Sequence, residues 1–454
     1  MVAYLLVMIP FAMIMIIAYI LIASDKINKT LVAIGGAAVT MIVAYIYLFA
    51  GTEIFTEQEV LTELIDWGAI IIILSILVIV EVSKTSGILN FLTVKIIKLT
   101  KGDTTKILIY TNVLVYIFSA FLGDESAFLI VGSITLVLVR NLKLDPMPFL
   151  LTEVISSNAA SCATVTSSLT NIIITSSYSF AHEYWLSYDR FLIIAFPFSL
   201  IIFVTNLLIG RWLVRNRFVC LGECITESEI ELILGLSEYE VVKDTSIVTK
   251  FLIFFAGLVI GFLVAGVVGI PFFLVALIGA IVFILISGEY VNIDKIIKRL
   301  DWSTIIFFFG IFIVVGGVAS VGLLTLIGET LGNVAGGNKA LIWASLIITG
   351  GIIAAFVDSV SVALMLLYII PSVVVAAGIT NPASVIWSVI LAVNVGDILS
   401  PLGGVNSVLI FLMFKREKIK FSFLDFMRVG GILSALNFTL VFLYILLISN
   451  ILGW

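Results

Sequence analysis

Long apolar runs recur along the whole chain, at residues 3–23, 31–50, 67–82, 191–210, 251–268, 271–287, 302–319 and 429–449. Each approaches or exceeds the roughly 20 residues that carry a helix through a ~30 Å hydrocarbon layer. Backbone amides in hydrocarbon must be satisfied within the segment, so such runs are helices. Only 12% of the 454 residues are charged while 62% are hydrophobic, too little polar surface to cover a water-soluble body of this size. Outer-membrane strands alternate apolar and polar residues, and these runs do not. The expectation is an all-α multispanning membrane protein. Residues 1–23 lack a basic start and a small-residue cleavage pattern, so they read as a retained first span.

Basic residues set the orientation. With residues 105–140 and 340–377 treated as re-entrant hairpins, all but two of the 24 Lys and Arg fall on one side, the exceptions being Arg190 and Lys339. Positive charge stays cytoplasmic, which places both termini outside in a cell-membrane protein. The acids Glu53, Glu57, Glu59, Glu63 and Asp66 are then outside, with His182 and Glu183. Glu81 falls near the inner boundary and is expected to be solvated. Residues 218–249 form an acidic cytoplasmic connector that carries Glu223, Glu227, Glu229, Glu231, Glu238, Glu240 and Asp244.

The chain also repeats itself. At one constant offset Asp66–Trp67 aligns with Asp301–Trp302, Gly87 with Gly322, Ala120–Phe121 with Ala355–Phe356, Ser126 with Ser361 and Asn171 with Asn406. A one-residue shift aligns Asp145–Pro146 with Asn381–Pro382 and Asn158 with Asn394. With an odd number of crossings per half, the second copy inserts upside down. Inverted-topology repeats mark secondary transporters, whose site lies between the halves near mid-membrane. The halves are expected at 1–217 and 250–454, each with a re-entrant helical hairpin and a broken transmembrane helix, at 146–182 and 384–414.

The breaks carry the chemistry. Residues 156–171, SSNAASCATVTSSLTN, are the chain's densest run of uncharged polar side chains, inside what should be a spanning helix. The matching stretch in the second half is VNVGDILSPLGGVN, residues 393–406, where Pro401, Gly403 and Gly404 interrupt a helix. A broken helix persists at membrane depth only where protein, water or an ion meets the freed groups. Candidate ligands for a hard cation are Asn158, Thr166, Ser167, Ser168, Thr170 and Asn171 in the first break, and Asn394, Asp397, Ser400, Gly403, Gly404 and Asn406 in the second. The hairpin tips add Gly123, Asp124, Glu125 and Ser126, then Asp358, Ser359 and Ser361. Acids in apolar surroundings bind a cation, pair, or take a proton, and Glu153 is the candidate proton carrier. Asp66 and Asp301 precede Trp67 and Trp302 and read as helix-start acids beside interfacial rings. Cys162 reads as a small apolar filler, and Cys220 with Cys224 lack the further ligands a metal needs.

The stretches AFLGDESAFLIVGSITLVLVRNLKLDP, EVISSNAASCATVTSSLTNIII, LDWSTIIFFFGIFIVVGGVASVGLL and AAFVDSVSVALMLL resemble the ArsB/NhaD/P permease group (citrate-transporter-like) of the ion transporter superfamily. The likeness implies two inverted repeats, two re-entrant hairpins and an elevator-type or rocking carrier. The sequence departs from the group's Asp-Asn hairpin tips and from its Gly-Asp-Pro-Pro-Asn break, of which only Asn171 is retained. The expected function is secondary transport of a small anion or oxyanion, arsenite-type or carboxylate, coupled to Na⁺ or H⁺. Na⁺/H⁺ antiport is the alternative. An intramembrane aspartyl protease is the remote one, since Asp124 and Asp397 lack the first Gly of the Gly-x-Gly-Asp pattern. No enzyme activity, no cofactor beyond the coupling ion and no nucleic-acid partner are expected. The partners are the small ion and the lipid bilayer, with a homodimer and, by family analogy, a separate ATPase as further candidates.

Overall fold

The structure, a computed structural model, describes residues 2–23, 27–49, 54–56, 59–60, 64–85, 95, 98–100, 103–142, 144–176, 186–213, 246–288, 292–357, 359–401, 403–416, 419 and 421–454. The protein is all-helical, with no strand among these residues. Asp358, His182, Glu183, Cys220, Cys224 and most of the acidic connector lie outside them.

Seven of the described helices are long and apolar enough to span a membrane: Lys29–Phe49, Thr104–Leu122, Tyr188–Leu213, Trp302–Ser320, Lys339–Phe356, Ser359–Ala376 and Phe423–Leu452. Shorter apolar helices, among them Trp67–Thr85 and Phe272–Ser287, stand beside them. The peripheral helices keep apolar side chains outward, such as Ile9, Met13, Ile16 and Ile20 on Val2–Ala23. In water that would be a defect; against lipid tails it is the solvated face.

Polar residues mark the helix starts. The side chain of Asp103 accepts from the backbone N–H groups of Thr105 and Lys106, Asp145 from Met147, Asp301 from Thr304 and Asn338 from Leu341. Each meets a donor that the first turn leaves open, and Pro146 sits where no donor is needed. Asp66 accepts from the N–H of Ala69 at 2.9 Å, in keeping with a helix-start role. Glu81 differs from expectation. It is buried and lies 3.6 Å from the guanidinium of Arg299, because helix Ile293–Arg299 folds against Trp67–Thr85 and brings a cation to it.

Lipid supplies no hydrophobic drive between spanning helices, so close approach of small residues does much of the packing. A Cβ on Gly310 would stand 2.5 Å from the backbone of Ala33, where Trp302–Ser320 crosses Lys29–Phe49. Gly328 and Gly332 set helix Leu323–Ala335 against the carbonyls of Ile369 and Val373, at 2.5 and 2.7 Å from the same hypothetical atoms.

Two helix pairs and two interrupted segments occupy the centre. Thr104–Leu122 and Asp124–Asn141 pack together as a first hairpin and both lie on Pro146–Ala160. Lys339–Phe356 and Ser359–Ala376 form a second pair beside Ala383–Gly396. Every residue of Pro146–Ala160 and of Ala383–Gly396 is buried.

Candidate functional site

The first break begins at Ser161. The chain leaves the helix, makes a short 3₁₀ turn at Val165–Ser167, runs extended at Ser168, and restarts as Leu169–Ser176. Side chains take up the released carbonyls. Asn171 Nδ2 donates to Ser161 O and Thr164 O, both at 2.8 Å. Ser167 Oγ reaches the same two oxygens at 2.6 and 2.7 Å, and the N–H of Thr164 donates back to Ser167 Oγ. Thr164 Oγ1 donates to Ala120 O and so ties the break to the first hairpin. Thus the Ser/Thr/Asn run replaces, bond for bond, part of the helical ladder that the break gives up.

The second break is built from glycine. Ala383–Gly396 passes into a 3₁₀ turn at Asp397–Leu399, Ser400 is extended, and helix Val405–Arg416 follows. A Cβ on Gly396 would collide with Gly351 O, and one on Gly403 would lie 2.8 Å from Asp397 O and 2.9 Å from Ala355 Cα. These contacts with Lys339–Phe356 exist only because no side chain intervenes. Gly404 faces the carboxyl of Asp397, whose Oδ2 would be 3.5 Å from a Cβ there.

The two breaks meet through amides. Asn158 Nδ2 donates to the backbone carbonyl of Asn394 at 3.1 Å, and Asn394 Nδ2 donates to Asn171 Oδ1 at 2.8 Å. The tip of the first hairpin joins on the other side. Gly123 has φ +86°, open to glycine and strained for other residues, and it lets Asp124 begin a new helix directly after Leu122. Asp124 Oδ2 accepts from Asn406 Nδ2 at 3.0 Å. Ser157 links the parts: its hydroxyl donates to Asp124 O at 2.9 Å, lies 2.9 Å from Ser119 Oγ, and is 3.2 Å from Asn406 Nδ2.

Four buried amide or hydroxyl oxygens here have no partner among the described residues. Asn158 Oδ1, Asn394 Oδ1, Asn406 Oδ1 and Thr170 Oγ1 make no hydrogen bond with any described residue. A buried orphan oxygen costs about 1–3 kcal/mol unless water or a cation meets it. All four belong to residues that the sequence singles out.

The remaining candidates are placed as follows. Ser167 and Asn171 donate within their own turn, Ser168 Oγ accepts from the N–H of Thr170 at 3.2 Å, and Thr166 Oγ1 stands 3.2 Å from Thr164 Oγ1. Ser400 is buried and its carbonyl accepts from the N–H of Gly403 at 3.2 Å. Glu125 and Ser126 are half-buried in the first turn after the tip. Ser359 and Ser361 are buried at the start of their helix, and Ser361 O accepts from Tyr19. Asp358 is outside the described residues. Glu153 is in a different place, on the flank of Pro146–Ala160 that faces the hairpin arms, with Thr135 donating to it. Ser119, Ser157, Ser161 and Thr164 are structural parts of the site that sequence reading did not select. Ser157, Ser161 and Thr164 lie inside the quoted polar run, so density of hydroxyls was the available signal.

A family model described as a citrate transporter matches residues 19–387. The chain belongs to the citrate transporter family. It is therefore a multi-pass membrane transporter, within the wider ArsB/NhaD/P permease group. An uncharacterised transporter of Mycobacterium tuberculosis is 26% identical over 439 residues, covering 95% of this chain and 96% of its own. The P protein of Mus musculus is 20% identical over 511 aligned positions, covering 96% of this chain and 60% of that protein. Among solved structures, the YdaH transporter of Alcanivorax borkumensis superposes with a TM-score of 0.55 at 14% identity, covering 90% and 89% of the two chains. MtrF of Neisseria gonorrhoeae, from a class of antimetabolite efflux pumps, gives 0.58 at 12% identity over 85% and 82%. At these identities the two structures speak for the fold of this citrate transporter family member alone.

Proposed function

We propose that this citrate transporter family protein is a secondary transporter that moves a small carboxylate-type anion coupled to Na⁺ or H⁺, with its site where the two breaks and the first hairpin tip converge. The observation that carries the reading is the set of orphaned oxygens, Asn158 Oδ1, Asn394 Oδ1, Asn406 Oδ1 and Thr170 Oγ1, on the two breaks, with Asn406 also bonded to the Asp124 carboxylate. Oxygen acceptors without donors suit a dehydrated hard cation. Helices start at the tip, with Asp124, and just past each break, with Leu169 and Val405, and the first turn of a helix leaves backbone N–H groups open, which suits an anion held beside the cation. A carboxylate follows from the family's description. Two inverted repeats, rocking about this junction, would expose it alternately to the two sides.

Na⁺/H⁺ antiport is the second reading. It is favoured by the absence of any Lys or Arg from the hydrogen bonds described at the site, while Asp124 and Asp397 are both there. Flux in proteoliposomes separates the readings. Uptake of labelled citrate that follows an imposed Na⁺ or pH gradient supports the first. A Na⁺ gradient that moves protons with no anion present supports the second. Citrate flux indifferent to both gradients, with no ion exchange, refutes both.

A further inference from the structure

Beside the break, on the hairpin flank of Pro146–Ala160, runs a polar seam that the cation site does not use. Glu153 is fully buried there. Its Oε1 accepts the Thr135 hydroxyl at 2.5 Å, and its Oε2 has no hydrogen-bond partner among the described residues. On the adjacent face, Asn112 Nδ2 donates to Thr152 Oγ1 at 3.2 Å and Ser156 Oγ donates to Asn112 Oδ1 at 2.7 Å. Asn206, from Tyr188–Leu213, is fully buried with neither amide atom partnered among the described residues. It lies between Ser199, whose hydroxyl donates to Ala159 O at 2.9 Å, and Gly210, whose hypothetical Cβ would touch Ile155 and Thr152. Residues a multiple of about 3.6 apart share a helix face, so Asn206 is turned toward the same helix as Ser199.

These groups join two ends. Ser156 and Ser157 are neighbours, and Ser157 touches Asp124 at the tip. At the opposite end of the hairpin Arg211 reaches Thr105 at 3.4 Å, in an exposed position. The orphaned atoms of Glu153 and Asn206 call for water, since buried polar groups without protein partners are met that way. Threonine hydroxyls alone, that of Thr135 with Thr111 beside it, are thin support for a buried carboxylate, whereas the neutral acid asks for less. The other charged or titratable groups on the surrounding elements include Lys106 and Arg140 toward the open end, Tyr110, Tyr116 bonded to Ser199, Asp124 and Glu125 at the tip, Asp397 at the second break, and Tyr188, Asp189, Arg190 and Arg211 on Tyr188–Leu213. No ion pair involving Glu153 occurs among the described residues, so no fixed cation holds it ionised.

We propose that Glu153 is a proton-binding site separate from the cation site, reached through water from the open end of the first hairpin. Its carboxylate takes a proton from seam water to become the neutral acid and returns it to water on release; no other reactant is needed. This rests on the cation-coupled reading above and names one coupling group.

The test uses the full-length protein in proteoliposomes. In Glu153→Gln, which imitates the neutral acid permanently, citrate uptake driven by a pH gradient falls on the order of a hundredfold, the scale of losing a positioned proton carrier. Exchange of internal for external citrate loses its pH dependence. Thr135→Val removes the donor that favours the charged form, so the pH profile of exchange moves to higher pH by roughly one unit. Wild-type pH-driven uptake with a wild-type profile in Glu153→Gln overturns the proposal. If that variant does not assemble, an unmoved profile in Thr135→Val overturns it instead. Absence of any gradient response in the unsubstituted protein refutes the cation-coupled reading itself, so the two failures are distinct.

Discussion

Between Ala160 and Leu169 the interrupted backbone is held by side chains, whereas between Gly396 and Val405 it is held by their absence. In the first break Ser167 and Asn171 donate to Ser161 O and Thr164 O. In the second, Gly396 and Gly403 lie directly on the backbone of Lys339–Phe356. The aligned asparagines divide accordingly. Asn171 spends its amide protons inside its own turn, while Asn406 reaches across to Asp124. The two aligned positions thus differ in what they bond, one closing its own turn and the other tying the second break to the first hairpin tip. The polar seam follows the same division. Thr152, Glu153 and Ser156 line the first broken segment, where the corresponding positions of the second hold Ser388, Val389 and Ala392.

Substitutions that exploit this difference should separate stability from transport. The largest effect is expected for Gly396→Val, where the new side chain meets Gly351 O and neither backbone can withdraw. A loss of about 3 kcal/mol is expected, read as a lower unfolding temperature in detergent. Asn406→Ala comes next, and it should act on function. It removes Oδ1, an oxygen the proposed cation would meet, so the cation concentration for half-maximal flux should rise roughly thirtyfold, about 2 kcal/mol, with a smaller fall in unfolding temperature from the lost donor to Asp124. Asn171→Ala should show the reverse, with stability falling by about 1.5 kcal/mol as Ser161 O, Thr164 O and Asn394 Nδ2 lose a partner. If Asn171→Ala instead left stability intact and abolished flux, the division between scaffold and ligand would collapse. The smallest change is Ser167→Ala, about 0.5 kcal/mol in thermal unfolding, because Asn171 already serves the same two carbonyls.

Much of this was legible from residue order. Apolar runs long enough to span hydrocarbon could only be helices, and proline, glycine and hydroxyl-rich interruptions could only be tolerated at a buried junction. Those constraints are local, and they hold whatever the neighbours are. Hence the helical class, the places of both breaks and the glycine at the first hairpin tip follow from the chain read linearly. The partner of each polar group does not. Symmetric spacing gave Asn171 and Asn406 equal standing, and only the packed arrangement sends one inward to its own turn and the other to Asp124. Glu81 looked solvated until a distant helix brought Arg299 beside it, and Ser157 was indistinguishable from its neighbours in a run of hydroxyls. Hydrogen bonds are short and directional, so which donor meets which acceptor is settled by helix contacts between residues hundreds of positions apart, information that no local pattern contains.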